Sequence, residues 1–239
     1  MFDLTTNKGK IVAAAMKLAN DRSWADISLR EIAGEAGLSM VDLRSEVSSK
    51  AHIFGLFTSA VDKEVLRKAG ALDPDQTARD NVFETIMNRF DVMEPYKPAI
   101  KSILQSLPPD PRLAQRLLAS QGWMLEASGI SSYGPLGGIK TVGLASVYMQ
   151  VARIWLDDDD PGMAKTMAAL DRRLRRGERT IQAISDSCNA VGRISSLWRN
   201  RTRKSRSRDD QPPPVDDDVM PNDMPADSGG DDGAQPSAT

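Results

Sequence analysis

The chain has 239 residues, of which 40% are hydrophobic and only 5% aromatic, and a formal net charge of −2. That length supports one sizeable core, or a small domain fused to a larger one, and the abundance of Ala, Leu, Met and Arg over strand-formers predicts an all-α fold. One cysteine, Cys188, and one histidine, His52, exclude an intramolecular disulfide and a Cys/His metal site.

The small net charge hides an uneven distribution. The stretch RNRTRKSRSR (199–208) is basic, and every charge after it is an Asp. Net charge therefore argues neither for nor against a nucleic-acid partner. The residues after Met1 are polar, and no apolar run reaches bilayer length. The expectation is a cytoplasmic protein without a signal peptide or membrane span.

In chain order, the first helix is predicted over 8–21, where Ile11, Ala14, Ala15, Leu18 and Ala19 recur at helical spacing. Thr5, Thr6 and Asn7 offer caps for it. In SLRE, Ser28 and Glu31 form a capping box for a short second helix with Leu29, Ile32, Ala33 and Ala36 inward. Gly37 ends it, because glycine accepts the left-handed backbone of a sharp turn. Ser39 caps a third short helix over 40–47, and Ser48 or Ser49 opens a long one reaching about residue 69. Ile53, Phe54, Phe57, Val61 and Val65 lie on one face of that helix. The phrase ALDPDQTA then marks a seam at 70–77.

Beyond the seam the pattern stays helical. Val82, Phe83, Ile86, Met87, Phe90 and Met93 form an amphipathic stripe that EPYKP interrupts. Ile100, Ile103, Leu104 and Leu107 follow, stopped by Pro108 and Pro109. A helix over 113–125 leads to the glycine-rich turn GISSYGPLGG. The segment 139–156 is small-residued and apolar enough to be expected buried on most sides. DDDDPG (157–162) is expected as a turn, since adjacent Asp are unfavourable near the negative end of a helix. Helix resumes from 163 to about 198. From Arg199, Pro, Asp and Gly dominate and no apolar stripe survives, which predicts a disordered tail. The predicted domains are a head (1–69), a body (78–198) and a basic-then-acidic tail (199–239).

A helix followed by a short helix, a glycine turn and another short helix is the helix-turn-helix arrangement. IAGEAGLS followed by SSKAHIF makes the match closer, and residues 8–68 resemble the TetR family of bacterial regulators. The resemblance implies DNA as a partner, with Ser28, Ser39, Met40, Asp42, Arg44, Ser45 and Lys50 at the contacting positions. Ser28 and Lys50 would meet phosphates, and the helix from Ser39 would enter the major groove. It also implies a small-molecule pocket in the larger domain. A homodimer would form through 139–156 and 163–179, segments bounded by Ile139, Leu156, Met163 and Arg179.

The chain departs from the family pattern in the third helix. Val41, Asp42, Arg44 and Val47 stand where the family has a small residue, Ser or Thr, Tyr and Phe. Arg44 offers guanine a fork of donors. Asp42 accepts only from cytosine amino groups, and with Glu46 it repels phosphate. Asp42 also lies three residues after Ser39, where it completes a cap. Both readings of Asp42 stand on sequence.

Residues 79–104 and 154–174 are similar to the lipid-binding accessory proteins of ubiquinone biosynthesis. That resemblance implies a TetR-like fold that holds an isoprenoid lipid and does not bind DNA. The stripe Ile181, Ile184, Cys188, Val191, Ile194 and Leu197 ends at Trp198, just before the arginines. Such a helix suits an anionic membrane surface, through Ile184, Val191, Leu197, Trp198, Arg199 and Arg201, at the inner face of the membrane. It equally suits packing on the body or on a second subunit.

Candidates for the body's pocket are Met87, Phe90, Met93, Met124, Tyr148, Met149, Trp155 and Met167. Methionine adapts to flexible apolar ligands, and it fills ligand-free cores equally well. No nucleophile–base pair, carboxylate pair or phosphate-binding loop appears, so neither an enzyme nor a cofactor is expected. The leading reading is a TetR-like DNA-binding transcriptional regulator controlled by an apolar small ligand. The alternative is a membrane-associated lipid-binding accessory protein.

Overall fold

Side chains within three residues of each helix start set most of the boundaries in the computed structural model, which describes residues 1–70, 72–134 and 136–179. Helix α1 (Asn7–Asp21) is capped by Thr6, whose hydroxyl accepts the Gly9 N–H at 3.1 Å. A short 3₁₀ turn, Trp24–Asp26, leads to α2 (Leu29–Glu35), α3 (Met40–Glu46) and α4 (Lys50–Lys68). Ser49, rather than Ser48, caps α4 and accepts from the His52 N–H.

EPYKP interrupts less than its prolines suggest. Helix α5 (Ala78–Met93) passes through the 3₁₀ turn Glu94–Tyr96 directly into α6 (Lys97–Ser106). Pro95 and Pro98 each fall in the first turn of their element, where the missing N–H is not needed. Helices α7 (Pro111–Ala127), α8 (Gly137–Leu156) and α9 (164–179) complete the described residues, among which there is no strand.

Helix α1 packs against α6, α4 against α5 and α7, and α7 against α8. Residues 72–77 are the non-helical link expected there. One hydrophobic core nevertheless runs from Ile11 and Phe57 in the head to Phe90 and Trp155 in the body. Trp24 is buried, and its backbone N–H donates to the Ser102 hydroxyl of α6 at 2.8 Å, which ties the head to the body.

One expectation is corrected and another is extended. Helix α8 is not buried on most sides. Leu144, Tyr148, Val151 and Trp155 form one inward stripe, whereas Val142 is 57% and Met149 43% exposed on another face. Apolarity alone does not tell whether a face is covered by its own chain. The acidic run is a turn, as expected, but it also serves the helix after it. Buried Asp158 accepts the Thr166 N–H at 2.9 Å and the Thr166 hydroxyl at 2.7 Å, and Asp160 accepts the Ala164 N–H at 3.2 Å. These carboxylates meet the positive end of α9, where negative charge is favoured. The Thr166 hydroxyl, above all, lowers the carboxyl pKa of Asp158.

Residues 180–239 lie outside the described residues. So do the membrane-contact candidates Ile184, Val191, Leu197, Trp198, Arg199 and Arg201, and the predicted tail.

Candidate nucleic-acid interface and ligand cavity

The turn between α2 and α3 is built from backbone hydrogen bonds. Gly37 has φ 66°, the left-handed conformation that glycine adopts without strain. Its N–H donates to Gly34 O at 3.1 Å, and the Leu38 N–H donates to Ala33 O at 2.9 Å. This pair of bonds closes the C-terminus of α2 and swings the chain into α3.

Both helices of the motif open with the same device. The Ser28 hydroxyl accepts the Glu31 N–H at 3.2 Å while the Ser28 N–H donates to Glu31 Oε2 at 2.8 Å. Arg22 adds an ion pair to Glu31 at 2.8 Å. These bonds, the Ser28 N–H first among them, lower the Glu31 carboxyl to about 2. In α3 the Ser39 hydroxyl accepts the Asp42 N–H at 3.1 Å and donates to Asp42 Oδ2 at 2.6 Å, which also accepts the Ser39 N–H at 3.2 Å. Asp42 is therefore the returning half of a capping box, and its pKa is lowered chiefly by the Ser39 hydroxyl.

Leu43 alone anchors α3 in the core. Helical spacing then places Val41 and Ser45 on the side away from it, with Arg44 and Asp42 on the two flanks; all four and Met40 are exposed, Val41 by 79%. The Ser45 hydroxyl donates back to Asp42 O at 2.7 Å. Glu46 is half-buried and lies 3.8 Å from Lys8. Asp42 is thus bonded to Ser39 and Glu46 lies near Lys8, while Arg44 and Asp42 stand on opposite flanks of the outward face.

Lys50 is turned inward. Its ammonium donates to Trp24 O and, at 2.7 Å, to Ile27 O, and lies 4.6 Å from the centre of the Trp24 ring. Burial lowers its pKa. The contact ties the start of α4 to the segment that sets up the Ser28 cap. No sequence signal revealed this strap, because its partners are backbone carbonyls more than twenty positions away. His52 accepts the Ser48 N–H at 3.2 Å on Nδ1, and Arg116 Nη2 of α7 lies 3.4 Å from Nε2. Burial, then Arg116 and Lys8, lower its pKa.

The fold is similar to that of solved structures. A TetR transcriptional regulator from Nitrosomonas europaea ATCC 19718 is 20% identical, with a TM-score of 0.58 over 72% of this chain and 97% of that one. A TetR transcriptional regulator from Rhodococcus sp. RHA1 is 16% identical, with a TM-score of 0.59 over 72% of this chain and 94% of that one. The chain has a TetR-like fold. The sequence itself matches no family model and no curated protein. Both of these neighbours are transcriptional regulators, and neither supports the resemblance to ubiquinone accessory proteins. Among the described residues no helix is long and apolar enough to cross a membrane.

In the TetR-like body, the expected pocket residues are placed as core or surface. Met87, Phe90, Met93, Met124, Tyr148 and Trp155 are buried, while Met149 and Met167 are exposed. Phe90 stacks on Tyr148 at 5.5 Å and on Trp155 at 5.3 Å between ring centres. The polar ends of those rings are held as well: Trp155 Nε1 donates to Glu94 Oε2 at 2.8 Å, and the Tyr148 hydroxyl accepts from Arg89 Nε at 3.1 Å. A cavity of about 430 Å³ lies elsewhere, among α5, α7, α8 and α9, and none of the expected residues lines it. Its wall includes Val82, Leu125, Ile130, Leu144, Val147 and Leu174, which carry less distinctive side chains than the Met and aromatic residues of the core.

Proposed function

We propose that this chain is a cytoplasmic TetR-like transcriptional regulator that reads DNA as a homodimer. Its body would hold an apolar small ligand that shifts the spacing of two heads and so releases the operator. It acts by binding and not by catalysis. The outward face of α3 carries this reading. Val41 projects there with Arg44 at its flank and Met40 exposed beside it, while the Asp42 carboxylate is bonded back onto Ser39. Arg44 suits guanine, and the apolar side chains suit thymine methyl groups. A lysine ammonium has three donors, so Lys50 can hold its two carbonyls and still reach a phosphate with the third.

The test is binding of the full-length protein to duplex DNA from upstream of its own coding sequence, across a salt series. Saturable binding that weakens steeply with salt is expected. Arg44→Ala is expected to cost about 1–3 kcal/mol of affinity on the specific site. Absence of any duplex complex at low salt would overturn the proposal.

A further inference from the structure

We infer that the groove among α5, α7, α8 and α9 binds a single-chain amphiphile with an anionic head. The cavity there, about 430 Å³, has the size of a small-molecule site, and its wall is mostly aliphatic. Gly143 on α8 and Gly177 on α9 also line it, and a Cβ added to either would meet nothing within 4 Å. Glycine inside a helix is destabilising relative to alanine, and close packing does not require it at these positions. What the two glycines provide is width.

At Val147 and Gly177 the cavity adjoins a second hollow of about 510 Å³, lined also by Gln150, Arg172, Arg173 and Arg176. Among the described residues no carboxylate lines it. Arg173 Nε donates to Gln150 Oε1 at 3.2 Å, which leaves the rest of a guanidinium fork for an anion. Of the neighbouring acids, Asp171 holds Arg175 at 2.9 Å, and Glu178, on the wall of the slot, lies 3.8 Å from Arg79 on the same wall. An apolar slot that opens on an arginine hollow fits a hydrocarbon chain ending in a carboxylate or a phosphate, since arginine grips both in paired hydrogen bonds. A neutral chain would leave the Arg173 fork unused.

This inference deepens the ligand part of the proposed function, but its test contains no DNA. Decanoate, decyl phosphate and decanol, each below its micelle concentration, are titrated calorimetrically into the full-length protein. Both anions are expected to bind at least about tenfold more tightly than decanol. Their ranking identifies the head group. Changing Arg172→Gln and Arg173→Gln together brings the anions close to decanol and leaves decanol itself unchanged. Gly143→Leu fills the slot and weakens all three by about tenfold or more. Gly177→Leu does the same if Gly143→Leu fails to fold, with thermal melting as the check. Lack of binding by all three, equal binding of anions and decanol, a double variant that keeps the preference, or undiminished binding in a folded leucine variant each overturns the assignment. Loss of DNA binding with these titrations intact would sink the regulator reading alone.

Discussion

Glu31 shows how a surface carboxylate can be shaped by a helix start. It is lowered to about 2 by the Ser28 N–H, by Arg22 and by the Ser28 hydroxyl, against an ordinary value of 4.5. A carboxylate held below its unfolded value contributes stability that is complete above pH 4.5 and is lost as pH falls toward 2. The expected result is an NMR titration of the Glu31 carboxyl with a midpoint near 2. Thermal melts of Glu31→Gln should lose part of the acid sensitivity of the parent over that window. A midpoint at the ordinary value would show that the capping box does not persist in solution. Glu31 and Asp42 were both legible in the sequence, because a capping box needs only its serine and the acid three residues on. The sequence left open whether Asp42 repels DNA or closes the helix. The structure places its carboxylate on Ser39, and the helix then turns Arg44 outward.

Between elements, one polar joint is a buried charge. Arg89 of α5 is 1% exposed and reaches Asp62 of α4, whose Oδ1 also accepts the Ser120 hydroxyl of α7 at 2.8 Å. Arg89 donates in addition to the Tyr148 hydroxyl of α8. Burial disfavours its charge, and Tyr148 and Asp62 more than offset that penalty, so its pKa stays above the ordinary value. Asp62→Ala would strand a buried cation and is expected to cost about 3–5 kcal/mol in urea unfolding at neutral pH. Adding Arg89→Met should restore most of that loss, because an apolar isostere needs no partner. If the double variant were as unstable as Asp62→Ala alone, packing rather than charge would account for the loss. The helices themselves were legible from periodicity, down to the run of α7 and the link after α4. This joint was not, since Arg89 and Tyr148 stand 59 positions apart.

For the whole molecule, the open question is what covers the outward face of α8. Val142 and Met149 leave an apolar face toward solvent in the single chain, on one of the two segments expected to pair with a second subunit. We propose that this face pairs with a second copy, as the regulator reading requires. Val142→Asp is expected to shift the protein to monomer in sedimentation equilibrium and to weaken DNA binding by removing one of two linked heads. A parent protein that sediments as a monomer at micromolar concentration would refute the pairing.

By itself the sequence determined the all-helical class, the turn at Gly37, the Ser28–Glu31 capping box and the breaks between helices. Each of these depends on side-chain and backbone groups only a few positions apart, so their chemistry can be read along the chain. Only the tertiary structure decided that Lys50 turns inward, that Phe90, Tyr148 and Trp155 close on one another, and that the open space lies beside Gly143 and Gly177. Burial and empty volume are set by distant elements meeting in space, and the spacing of residues along one helix does not record which neighbour fills the other side.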